Sequence, residues 1–91
     1  MVVLVMENMS EGFRGELSKW LIEAKAGVFV GNISTAVRER LWQKVFKHGQ
    51  EGSAVLIYSA DTEQGFCMEM CGIPHRSVID FEGIFLIKTK E

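Results

Sequence analysis

Residues 27–59 read GVFVGNISTAVRERLWQKVFKHGQEGSAVLIYS, and this stretch decides the fold. Val28-Phe29-Val30, held between Gly27 and Gly31, predicts a short strand. Asn32 or Ser34 supplies the side-chain oxygen that a helix N-cap needs. Val37, Leu41, Trp42, Val45 and Phe46 then form one apolar stripe, which predicts a helix over about 34–48. Gly49 and Gly52 close it, and Ser53 to Ser59 predicts a second strand.

Working outward toward the N-terminus, residues 2–7 are a short Val-rich run, the mark of a buried strand. Ser10 suits an N-cap and Glu11 the first turn of a helix. Phe13, Leu17, Trp20, Leu21 and Ala24 follow at helical spacing and predict an amphipathic helix over about 11–25, ended by Gly27. Trp20 and Trp42 both fall on apolar stripes and read as packing residues. Toward the C-terminus, Asp61 to Gly65 reads as a polar turn, with Phe66 to Cys71 as the hairpin partner strand. Gly72 to Arg76 reads as a loop, and Asp80 to Lys88 as a final strand. Within it Ile84 to Ile87 is apolar on both faces. Such a strand belongs in a sheet's middle or at a subunit interface, because an exposed apolar edge would aggregate. The order is β-α-β-α-β-β with one more strand, which predicts a single domain over 1–91. Its class is α+β, a ferredoxin-like sandwich with two helices on one face of an antiparallel sheet.

The composition limits the function classes. Hydrophobic residues make up 47 % of the 91, a surplus for a chain this short, and a symmetric homodimer would use it. A formal charge of −2 excludes a bulk-basic nucleic-acid binder, so any phosphate contact must come from a local patch. No apolar run is long enough to span a membrane, and residues 1–7 lack the marks of a signal peptide, which predicts a cytoplasmic protein. Cys67 and Cys71, about 13 Å apart if they share a strand, are too distant for a disulfide and lack the partners of a zinc site.

Few residues point to chemistry. Glu7 ends an apolar strand, where it either accepts backbone hydrogen bonds or, paired across a twofold axis, holds a metal ion. Arg40, Lys44, Lys47 and His48 share one helix face, a stripe that suits either solvent or a phosphate backbone. Two histidines in all argue against Ser/His or Cys/His catalysis, and neither a P-loop nor GxGxxG is present.

Val-Met-Glu-Asn at 5–8, Phe-Arg-Gly-Glu-Leu at 13–17 and Trp-Leu-Ile-Glu at 20–23 resemble CRISPR-associated protein two, the small adaptation subunit. Ala-Gly-Val-Phe-Val-Gly-Asn at 26–32, Arg-Glu-Arg-Leu-Trp at 38–42 and Thr-Glu-Gln-Gly-Phe at 62–66 resemble its type I-E branch. The resemblance implies a ferredoxin-like homodimer that bridges two dimers of the CRISPR integrase subunit and supports duplex pre-spacer DNA during spacer acquisition. Many members are described as Mg2+-dependent endonucleases on RNA or double-stranded DNA, their metal ligand an aspartate at the end of strand one. That position here is Glu7, so the implied catalytic and metal-binding residue is Glu7, altered by one methylene. The implied nucleic-acid-binding residues are Arg14, Arg38, His75 and Arg76. His75 stands where relatives often carry arginine, and Ala36 where they carry lysine.

Overall fold

The first strand is built by alternation. In the computed structural model, β1 (Val2–Met6) buries Val2, Leu4 and Met6 on one face and half-buries Val3 and Val5 on the other. The structure describes residues 1–48, 53–72, 76–81 and 84–89, with side chains described through Lys47, from Ser53 to Gly72, and at Ile87. After β1, Asn8 turns the chain with φ +57°, a left-handed geometry that asparagine tolerates. Ser10 then caps α1 (Glu11–Leu17), its hydroxyl accepting from the Phe13 N–H at 3.2 Å.

This helix is shorter than its periodicity predicts. Residues 18–20 form a turn, and β2 (Ile22–Lys25) pairs antiparallel with β3 (Val28–Gly31). Ile22 lies opposite Val30 and Glu23 opposite Phe29. Continuing the helix would strand the backbone groups along β3's outer edge, so hairpin pairing overrides a modest helical propensity. Leu21 is buried all the same, but Trp20 is 48 % exposed and is no core residue. Gly27 therefore ends a hairpin turn rather than a helix.

Ser34 is the cap of α2 (Thr35–His48), accepting at its hydroxyl from the Val37 N–H at 3.2 Å. The predicted closure by Gly49 and Gly52 lies outside the described residues. β4 (Ala54–Ser59) and β5 (Phe66–Cys71) form the expected hairpin around the turn at 61–65. There the Ala60 N–H donates to the Gly65 carbonyl at 3.1 Å, and the Thr62 hydroxyl donates to the Phe66 carbonyl at 3.3 Å. The five strands run in the order β2-β3-β1-β4-β5, every neighbouring pair antiparallel. Strands β2-β3-β1-β4 with their two helical crossovers are the split βαβ arrangement of a ferredoxin-like sandwich.

Both helices cover the same sheet face. Phe13 and Leu17 from α1, and Leu41, Trp42 and Val45 from α2, join Leu4, Phe29, Ala54 and Leu56 in one core. The predicted last strand, Asp80 to Lys88, is two strands instead. β6 (Arg76–Phe81) and β7 (Ile84–Thr89) pair antiparallel as a separate two-stranded sheet. Arg76, read as loop, thus begins a strand. Ile84 to Ile87 pairs with β6 rather than with the five-stranded sheet, and Ile87 is exposed.

Candidate functional site

Three features of this scaffold bear on function: an apolar sheet face turned away from the helices, a carboxylate at its rim, and arginines held in different ways.

Register fixes which side chains face away from the helices. Directly opposed residues in antiparallel pairs point to the same side. Val3 opposes Val30 and Ile57; Val5 opposes Val28 and Val55; Ile57 opposes Met68, and Val55 opposes Met70. These side chains all lie on the side away from the helices. A sheet with one solvated face would carry polar residues there. This one carries Val, Ile and Met across four strands, and Ile22 on β2 extends the patch while 71 % exposed.

Glu7 continues the alternation of Val3 and Val5, one step beyond the strand. Its N–H donates to the Ser53 carbonyl at 2.9 Å, and its Oε2 accepts from the Ser53 hydroxyl at 3.2 Å. Glu7 is exposed. Among the described residues, no three His, Cys, Asp or Glu side chains gather in a group that could hold a metal. A single carboxylate falls short of the oxygen set that a divalent cation takes, so Glu7 alone does not make the implied Mg2+ site.

Arg14, in the last turn of α1, places Nε 3.2 Å from Glu23 Oε2 on β2, without hydrogen-bond alignment. The same carboxylate oxygen accepts the Gly27 N–H at 3.0 Å. Arg14 is thus tethered to the β2–β3 turn with its side chain 43 % exposed. Lys44, on the basic stripe of α2, is ion-paired to Glu16 of α1. Of that stripe, Arg40 and Lys47 are exposed, and the His48 side chain lies outside the described residues. His75 lies outside them too, as does the side chain of Arg76.

Arg38 is held differently. It sits in the second turn of α2, its guanidinium carbon 3.6 Å from the centre of the Tyr58 ring on β4. Arg38, Glu39, Trp42, Gln43, Leu56, Tyr58 and Glu69 line an open cavity of about 230 Å³ where α2 passes β4 and β5. Burial pushes the Tyr58 phenol above the usual tyrosine range; the charges of Glu69 and Cys67 push the same way, and Arg38 opposes them. Tyr58 and its cavity were not singled out in the sequence. Finding them needs the register of β4 as well as the helix face.

Cys67 and Cys71 on β5 are free thiols on the helix side, opposite Tyr58 and Ala54. Both are half-buried, and Cys71 packs against the core. No helix among the described residues is long and apolar enough to cross a membrane. Residues 1–86 match the model of one family, described as CRISPR-associated protein (Cas_Cas2CT1978).

Proposed function

This chain belongs to that family of CRISPR-associated proteins, and on this premise we propose that it is the small subunit of a spacer-acquisition complex of the type I-E branch. It works as a homodimeric scaffold that bridges integrase dimers and supports duplex pre-spacer DNA through its phosphate backbone. The observation that carries the scaffold reading is the apolar sheet face turned away from the helices. A second copy would bury Val5, Ile57 and Met68 against their equivalents about a twofold axis. The exposed Ile87 of β7 supplies further apolar surface for the same purpose.

Duplex support comes from local cations, because the net charge of −2 gives no general attraction to DNA. Arg14, Arg38 and Arg76, with His75, are the positions for it. The integrase subunit then performs the strand transfer, and this chain needs no chemistry of its own.

Spacer acquisition in cells tests the reading. Charge reversal at Arg14 and Arg76 abolishes acquisition, whereas Glu7→Ala preserves it. Normal insertion in the reversed variants would overturn the role in holding DNA. The enzymatic alternative has one observation in its favour, the exposed Glu7 at the rim of the dimer face. It requires cleavage of RNA or double-stranded DNA by purified dimer that depends on Mg2+ and disappears in Glu7→Ala.

A further inference from the structure

Arg38 and Arg14 are both half-buried arginines, but neighbours engage them through different parts of the guanidinium. Glu23 lies against Arg14 at an in-plane nitrogen, Nε. Tyr58 meets Arg38 by its flat face, at 3.6 Å from the ring centre. The distinction matters for phosphate. A guanidinium carries its N–H donors in the plane, in a fork that matches two phosphate oxygens. A carboxylate at the edge competes for those donors. An aromatic ring against the face holds the cation without using any of them.

The surroundings of Tyr58 suit that role. Its ring stands on the helix side of β4, opposite Val2 on β1 and Cys67 on β5, so the sheet fixes its position. Arg38 comes from the first half of α2, whose start is anchored by the Ser34 cap. Two rigid elements therefore determine the stack. A long arginine side chain otherwise loses rotamer entropy each time it binds, and stacking on the ring lowers that loss on binding. Glu39 and Glu69 line the same cavity. Their charges disfavour a phosphate inside it, which leaves the cavity mouth as the place for a duplex backbone.

We infer that Tyr58 is a positioning residue for nucleic-acid binding: its ring stacks Arg38 and presents the guanidinium edge to a DNA phosphate. This rests on the reading of the chain as a support for duplex DNA. Tyr58 touches no DNA itself and acts through Arg38 alone.

The full chain is titrated against a fluorescently labelled, random-sequence DNA duplex, with anisotropy as the readout. Tyr58→Leu weakens binding by about two- to fivefold, the range of an exposed cation–π contact. Tyr58→Phe keeps the ring and binds as the parent does. Arg38→Ala weakens binding and lowers the salt dependence by about one phosphate contact. In the Arg38→Ala background, Tyr58→Leu causes no further loss, because the interaction it supports is already gone. A purely structural Tyr58 would instead give losses that add, and that result overturns the inference. So does an Arg38→Ala variant with parental affinity while reversal of Arg14 still weakens binding; the duplex reading would then stand without it. If no change at Arg14, Arg38 or Arg76 alters binding, the duplex reading itself falls, and this inference with it.

Discussion

Gly27 answers two demands at one position. Its φ is +80°, and a Cβ there would collide with the Met6 carbonyl oxygen. Its own carbonyl accepts the Met6 N–H at 2.7 Å, so the β2–β3 turn is sewn to the end of β1. Gly27→Ala is expected to lower stability by more than about 2 kcal/mol, from left-handed strain plus the backbone clash. Thermal unfolding checks this. Tyr58 makes a prediction of the opposite character, silent at neutral pH. Its folded-state pKa lies above the ordinary value, chiefly through burial and then through Glu69. The folded protein therefore holds this proton more tightly than the unfolded chain. The associated stability is fully present below the ordinary tyrosine pKa and declines as pH rises through the folded-state value. Melting temperatures taken from pH 8 upward should fall more steeply in the parent than in Tyr58→Phe, and equal slopes would count against it. Glu69→Gln should bring the Tyr58 titration back toward its ordinary range, as ultraviolet absorbance would show.

At the scale of elements, the two helices differ in how far their sequence governs them. Over Val37 to Val45 the α2 periodicity matches its core side, with Leu41, Trp42 and Val45 buried, but Phe46 leaves the predicted stripe. Phe46 is 55 % exposed and stacks edge-on against Trp42, their ring centres 5.4 Å apart. α1 stops after seven residues although its stripe runs on, because the following segment has a strand edge to pair with. The caps were legible in both helices, since a hydroxyl three residues ahead of its N–H donor is a local device. Ser10→Ala should cost about 1 kcal/mol. Phe29, fully buried on β3, should cost about 3–5 kcal/mol as Phe29→Ala. The outer sheet face carries a different expectation. Ile57→Glu leaves the helix-side core intact and introduces a charge where a second copy would pack. Light scattering should then report a monomer with parental secondary structure. A variant that remains dimeric would remove this face from the interface.

At the scale of the whole molecule, the sheet divides the protein into two sides of different character. One side is closed by two helices over a continuous core, and the other is apolar and half-buried among the described residues. Caps, turns and short apolar runs determined the fold class, an α+β sheet with two helices. Family membership was legible too, in short blocks such as residues 13–17 and 26–32. These features are local: each depends on residues a few positions apart, which the chain fixes before it folds. The boundary between α1 and β2, and the split of the last strand into β6 and β7, were decided by pairing between segments. Val30 opposes Ile22 and Ile79 opposes Leu86, choices that no periodicity within one segment encodes. The candidate site divides in the same way. Glu7 and the arginines stood out by residue type and by resemblance. That Arg14 leans on Glu23 and Arg38 on Tyr58 depends on register and helix packing, which place side chains nine and twenty residues apart in contact. Only the folded chain determines such contacts, because the hydrogen-bonding of strand edges and the burial of one shared face are satisfied by the molecule as a unit.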